Sequence, residues 1–312
     1  MKEIREKEKE MLVLDAGDLL FKKFTSPIPE QELKMMTDKA HLIIESFNLM
    51  GYNALGIGDD DLTLGKEFLL EISKKANFPF LSSNIFDEAS EKLLFQPYLI
   101  KQINGFRIGV FSLLSPDLFL GQSDPRRKGI VIRPAIEIAQ KMIKELQPKT
   151  DLIILLSHLS FQKDVELAQT LQGIHLIVGS HTGMNLINPQ VLKNTVILQT
   201  APRGMYAGRL DLTLTNNEAG FYNLATKRTL ENQLLNAKNR LNSPQISEAY
   251  KAQLQKSKDR IEQDLKQFHG KNEFTNVILP LAENIKDHPE ILKMVNEFKS
   301  KYSEITKPTI PK

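Results

Sequence analysis

The sequence predicts an α/β layered fold closed by a C-terminal α-helical hairpin. Three observations carry that expectation. From residue 11 to about 215, short β-rich runs alternate with amphipathic helical runs, the pattern of helices packed on a sheet. After about residue 222 the composition shifts and apolar residues recur at helical spacing alone. With 312 residues, 41% of them hydrophobic and 25% charged, the chain is large enough to bury a full core and is not of the disordered type.

The elements follow in order. Residues 11–14 are wholly apolar and read as a strand running into Asp15-Ala16-Gly17-Asp18. Residues 30–50 place Leu33, Met36, Ala40, Ile43, Ile44 and Phe47 on one helical face and stop at Gly51, a natural C-terminal cap. Residues 54–57 form a strand that enters Gly58-Asp59-Asp60-Asp61; residues 66–76 are helical, and 78–82 are extended. Residues 98–114 read as a hairpin turning at Asn104-Gly105. A helix over 134–146 precedes a strand over 151–156, apolar enough to be buried on both faces, which ends at Ser157-His158. A helix over 164–171 and a strand over 175–178 lead to Gly179-Ser180-His181, and strands over 196–199 and 208–214 close the series.

Beyond residue 222, Leu230, Leu234, Ala237 and Leu241 share one helical face, and Ile261, Leu265 and Phe268 share another. Asn242-Ser243-Pro244 breaks the run between them, so an antiparallel hairpin closed by Gly270 is expected. A strand over 274–279, a helix from 289 to about 302 and a tail over 307–311 finish the chain. The expected division is therefore 1–222, 223–270 for the hairpin, and 271–312 for the short strand, helix and tail. The apolar stripes of the hairpin read as packing faces, with a protein-partner surface as the alternative.

Several function classes drop out. No cysteine is present, which excludes disulfide frameworks, thiolate metal sites and cysteine nucleophiles. A net charge of +3 is too weak to argue for nucleic acid. No apolar run of about 18 residues occurs, so no membrane span is expected. Residues 1–10 form a charged helical stretch without a signal-peptide core. The chain therefore reads as cytoplasmic, or as periplasmic or exported if a signal segment lies upstream.

The candidate chemistry is positional. Asp15/Asp18, Asp59/Asp60/Asp61, Ser157-His158 and His181 each follow the carboxyl end of a strand, where α/β sheets bind ligands. Two carboxylate loops and two imidazoles meeting there would make a mixed oxygen and nitrogen site suited to manganese, zinc or ferrous iron. Blander readings stand beside this one. Asp15 could cap its own turn, Asp59 to Asp61 could be a solvated acidic turn, and His158 and His181 could be satisfied core or edge residues. His41, His175, His269 and His288 have no site context, and Arg126-Arg127-Lys128 reads as a solvated loop, against a phosphate or partner contact. Ser157-His158 is not a hydrolase triad, because adjacent residues cannot aim at one another and no Gly-x-Ser-x-Gly elbow exists.

At these residues the chain resembles the calcineurin-like metallophosphoesterases, and most closely the 5'-nucleotidase family. The blocks that carry the resemblance are Leu14 to Asp18, Asn48 to Asp59, Phe78 to Ile85, Asp151 to His158, Gly173 to His181, Gln199-Thr200-Ala201 and Gly208-Arg209-Leu210. The resemblance implies a metallophosphoesterase-like β-sandwich flanked by helices over residues 1–222, without its first strand. It also implies a metal site that clamps a phosphate ester and activates water. Asp18 matches the carboxylate that bridges two metals, and Asp59 stands where the family has an asparagine ligand. His158 matches the histidine after the Leu-Ser pair, and His181 the first histidine of Gly-His-x-His.

The departures are specific. The family's opening Asp-x-His lies upstream of this chain's first residues, Gly183 replaces the second histidine of Gly-His-x-His, and Asp60 replaces the histidine that assists the leaving group. The expectation is one divalent ion rather than two, on Asp18, Asp59, His158 and His181, with Asp60 at the catalytic position. Hydrolysis of a small phosphate monoester, a nucleotide among them, would be impaired. The competing expectation is a catalytically inactive binding or assembly module on the phosphatase fold.

Overall fold

The structure, a computed structural model, describes the chain except residues 1, 8–9, 25–27, 217–219, 244–245, 283–284 and 304–312. Pro244 of the expected breaker and the tail at 307–311 lie outside the described residues. The first half runs α1 (Lys2–Lys7), β1 (Leu14–Asp15), α2 (Glu30–Met50), β2 (Ala54–Gly56), α3 (Gly65–Ser73), β3 (Phe80–Leu81), β4 (Ile85–Asp87), β5 (Tyr98–Ile103) and β6 (Phe106–Leu114). It continues with β7 (Ile130–Ile132), α4 (Ala135–Leu146), β8 (Leu152–His158), α5 (Phe161–Thr170), β9 (Leu176–Gly179), β10 (Gln190–Leu192), β11 (Thr195–Leu198) and β12 (Tyr206–Thr213). The last part is β13 (Phe221–Asn223), α6 (Leu224–Leu241), α7 (Glu248–Lys266), β14 (Asn272–Pro280) and α8 (Pro289–Lys301).

Two sheets face each other. One is the parallel set β1-β2-β3; the other has the order β10-β11-β9-β8-β6-β5, parallel across its centre and antiparallel at both edges. The period-2 alternation of side chains sorts each strand onto two cores. Ala54, Leu81, Val110, Ile154 and Leu156 point into the layer between the sheets. Leu55, Ile57 and Phe80 point outward onto Ala40, Ile44, Leu69 and Ile72 of α2 and α3. On the far side Phe111, Leu113, Ile153 and Leu155 meet Ile138, Ile143 and Leu167 of α4 and α5. The result is a helix–sheet–sheet–helix sandwich. At its centre β2 comes so close to the larger sheet that a Cβ on Gly56 would lie 2.7 Å from Ser112 Oγ.

Several boundaries differ from the sequence reading. β1 begins at Leu14, because Val13 is tied to Asn53 instead: its N–H donates to Asn53 Oδ1 and its carbonyl accepts from the Asn53 N–H. α5 starts three residues earlier than expected, at Phe161. The two-stranded pairing of β4 with β7 carries no sequence signal, each strand being only three residues long.

The largest difference concerns β14. Read as the start of a separate C-terminal segment, it is the central strand of a sheet ordered β12-β14-β13 and pairs with β12 along Tyr206 to Thr213. The divisions expected at residues 222 and 270 run through this sheet. The α6–α7 hairpin is thus an excursion between two strands of one sheet, packed back through Ala237, Ile261 and the Phe268 ring, whose centroid lies 4.9 Å from that of Tyr222. Strand patterns show that a segment is extended; they do not show its partner.

Candidate metal centre

Both sheets end their parallel strands on the same side. Asp18 sits in the loop after β1, and Asp59 leads the short 3₁₀ turn Asp60–Leu62 after β2. His158 is the last residue of β8, and His181 follows β9. One ligand atom from each of Asp18, Asp59, His158 and His181 lies within 4.8 Å of the other three. His158 Nε2 is 3.1 Å from Asp18 Oδ2 and 3.2 Å from Asp59 Oδ1, and His181 Nδ1 is 3.4 Å from the same Asp59 oxygen. Asp59 and His158 are buried, while His181 is about a third exposed and marks the open side.

The backbone is bent to make this meeting. Asp18 and His181 both hold positive φ, 60° and 67°, where side chains other than glycine are uncommon. Gly17, at φ 98°, and Gly58 cross so closely that a Cβ on Gly17 would lie 2.4 Å from the Gly58 nitrogen, and one on Gly58 2.2 Å from Asp18 Oδ1. No larger residue fits either position.

Two buried side chains hold the acidic loops. Asp61 accepts N–H bonds from Asp18, Leu19, Leu20 and Gly58, at 2.9 to 3.0 Å, which closes the β1 loop onto the β2 loop. Arg126, read from the sequence as part of a solvated loop, is instead only 4% exposed. It donates from Nη1 to Asp59 Oδ2 (2.7 Å) and Asp60 Oδ1 (2.8 Å), and from Nη2 to Asp124 Oδ2 (2.8 Å). The reason is charge: three consecutive aspartates turned inward need a cation. That surplus of acid at 59–61 was the available signal, but nothing in the spacing points to residue 126.

The histidines are held by different means. His158 Nδ1 lies 2.9 Å from the Ala16 carbonyl and 2.7 Å from Ser180 Oγ. A carbonyl only accepts, so Nδ1 carries the proton and Nε2 is directed at the two aspartates. Ser180 Oγ also lies 2.8 Å from Ala16 O and 2.9 Å from Ser157 O. The other flagged residues have structural places: Asp15 Oδ1 accepts from the Gly17 N–H, and His175 Nδ1 accepts from the Ile153 N–H beside the Phe221 ring.

The charges interlock. Burial opposes ionisation of Asp59, but hydrogen bonds from His158 and His181 and the Arg126 charge outweigh it and hold its carboxyl well below the usual range. Burial likewise opposes the imidazolium of His158, yet Asp18 and Asp59 raise its pKa well above the ordinary value. Asp60 is pushed up by burial and by Asp18. Asp61 is raised to about 7 by burial and the Asp18 charge, against its N–H donors. Asp60, the position expected to be catalytic, is anchored through Oδ1 by Arg126 and the Phe24 N–H, 2.8 Å each.

The donor set suits a borderline divalent cation: two carboxylates and two imidazoles at strand ends, with the His158 ring held by Nδ1–H on the Ala16 carbonyl so that Nε2 faces the site. No cysteine competes, and among the described residues no helix is long and apolar enough to cross a membrane.

No protein-family model matches the chain. It is 31% identical over 247 residues to a 5'-nucleotidase of Vibrio cholerae, an alignment covering 69% of this chain and 43% of that protein. Among solved structures, a 5'-nucleotidase precursor of Thermus thermophilus superposes with a TM-score of 0.55 at 26% identity, over 68% of this chain and 44% of that one. The sulfate thiohydrolase SoxB of Thermus thermophilus reaches a TM-score of 0.70 over 97% of this chain and 45% of its own; at 18% identity it shows the fold alone, but over nearly all of the chain. The chain spans under half the length of these relatives. With its sandwich fold and these relatives, the chain belongs to the 5'-nucleotidase family of calcineurin-like metallophosphoesterases.

Proposed function

We propose that this chain carries a phosphomonoesterase centre of the 5'-nucleotidase type that works with one divalent ion, manganese, zinc or ferrous iron, on Asp18, Asp59, His158 and His181. The observation that carries the reading is the convergence of four donors from four strand ends within 4.8 Å. A divalent ion held there supplies Lewis-acid polarisation of a phosphate ester. The chain's own residues do the rest. Asp61 and Arg126 fix the two acidic loops, and His158 is kept with Nε2 inward. His181 lines the open side through which a small phosphorylated substrate enters. In this reading Asp60, with its carboxyl pushed up and its Oδ1 anchored, carries the leaving-group proton. The Vibrio relative is named a 5'-nucleotidase, which makes a nucleoside monophosphate the first substrate to try.

The second reading is a non-catalytic binding or assembly module, with the α6–α7 hairpin as partner surface. Arg126 favours it, since its hold on Asp60 Oδ1 competes with proton transfer there. Protein loaded with manganese, zinc or cobalt and offered an aryl phosphate and a nucleoside monophosphate panel separates the two. The enzyme reading expects turnover that chelation abolishes and that falls at least about a hundredfold in both His158→Ala and His181→Ala. Absence of metal-dependent turnover would leave the scaffold.

A further inference from the structure

Asp59 divides its two oxygens between different partners. Oδ1 faces the imidazoles of His158 and His181, whereas Oδ2 is bonded at 2.7 Å to Nη1 of Arg126. The guanidinium cannot turn away. Its Nε and Nη2 grip both oxygens of Asp124 at 3.1 and 2.8 Å. The rings of Phe24 and Phe119 lie against it, with centroids 4.7 and 4.9 Å from Cζ. Water is shut out, so the cation cannot be replaced by solvent and the pairing acts at low local dielectric.

We propose that Arg126 is a positioning residue that turns Asp59 into a one-oxygen, charge-compensated metal ligand, the electrostatic equivalent of an amide carbonyl. The inference rests on the metal reading above and deepens it. With Oδ2 occupied, Asp59 offers only Oδ1, so bidentate ligation is blocked. With the guanidinium on its far oxygen, a charge shared with Asp60 and Asp124, Asp59 adds less negative charge to the site than a free carboxylate would. A centre built this way gives up some cation affinity. In return, a phosphate dianion approaching a cluster that also holds Asp18 and Asp60 meets less repulsion. Arg126 and Asp59 thus set the balance between cation and anion binding, and their effects are coupled because the two side chains are bonded directly to each other.

The test is a double-mutant cycle read by calorimetry, with Mn²⁺ alone as the first titrant and inorganic phosphate into the Mn²⁺-loaded protein as the second. Arg126→Gln should tighten Mn²⁺ about tenfold and weaken phosphate about tenfold, because Asp59 regains its charge. Asp59→Asn should weaken Mn²⁺ by about tenfold or more, because the ligand loses its charge while the guanidinium stays beside it. The double variant, neutral at both positions, should return to within about threefold of the wild type for both titrants.

A residue that merely props the loop would lose Mn²⁺ and phosphate together in Arg126→Gln. That result, or a double variant no better than Asp59→Asn, overturns the proposal while leaving the metal reading intact. If the wild type binds none of Mn²⁺, Zn²⁺ and Fe²⁺ in the same titration, both fail. Should Arg126→Gln not fold, the comparison of Asp59→Asn with the double variant, each lacking one buried acid, poses the same question: recovery supports the coupled unit and its absence overturns it.

Discussion

The candidate site is made of two halves held in opposite ways. The half after β1 and β2 is acidic and heavily satisfied: Asp61 accepts four backbone N–H groups, and Arg126 bonds three carboxylates. The half after β8 and β9 is imidazole-based and sparsely held, by one carbonyl and the hydroxyl of Ser180. Behind it lies Asp164 of α5, whose Oδ1 accepts from Ser157 Oγ and whose Oδ2, although buried, has no hydrogen-bond partner among the described residues. A loop has no ladder of its own, so its backbone donors must be met by side chains. A histidine at the end of a buried strand inherits its position from the sheet. The acidic half should therefore fail by unfolding, and the imidazole half by losing its ligand geometry.

The largest expected effect lies in the acidic half. Asp61→Ala strips four N–H groups of their acceptor, two of them in fully buried bonds and two in part-buried ones, at about 1 kcal/mol each, so the loss of stability should be about 3–5 kcal/mol. Urea denaturation followed by circular dichroism measures it. A loss below about 1 kcal/mol would erase the contrast between the halves.

A smaller effect of opposite sign belongs to Asp164. Its carboxyl is raised to about 7 by burial, more than the Ser157 hydrogen bond lowers it. In the unfolded chain it titrates near the ordinary value of about 3.9. The folded form thus holds the proton more tightly. Its stabilising share is present in acid and is lost as pH rises from about 4 through about 7. Asp164→Asn, neutral at every pH, should match the wild type near pH 4 and exceed it by up to about 4 kcal/mol at pH 8. Asp15, Asp61 and His158 titrate with the same sign and are unchanged in the variant, so the quantity to read is the difference in slope between the two proteins. Equal slopes would show that Asp164 is ionised and satisfied.

The same contrast explains what the sequence could disclose. The α2 helix and its Gly51 stop, the β5–β6 hairpin at Asn104-Gly105 and the apolar β8 strand are written in periodicity and turn chemistry, which act over neighbouring residues. The grouping of Asp18, Asp59, His158 and His181 was legible because each lies at or just after a strand end, and a strand end is a local feature. Asp61 as a loop clamp and Arg126 as a buried counter-ion were not, for each depends on partners 41 to 67 residues away. The role of β14 was hidden for a like reason: its two partners are β12, far upstream, and β13, on the other side of the hairpin. Long-range pairing of a charge or a strand edge leaves no periodic trace.

The smallest effect sharpens the account of the imidazole half. Ser180 Oγ accepts from His158 Nδ1 and donates its one proton between the Ala16 and Ser157 carbonyls, so it ties together the ends of β1, β8 and β9. Ser180→Ala removes that bridge and leaves the Ala16 carbonyl as the acceptor for Nδ1–H, so the tautomer survives and the cost to stability is about 1 kcal/mol. Ring orientation is less constrained, and outer partners of ligating histidines typically weigh about tenfold or more in metal affinity. Mn²⁺ titration should show that loss while the denaturation midpoint barely moves, the reverse of the pattern expected for Asp61→Ala. A midpoint drop as large as that of the Asp61 variant would mean that the hydroxyl is a structural tie of the same rank, and the two halves would no longer differ in kind.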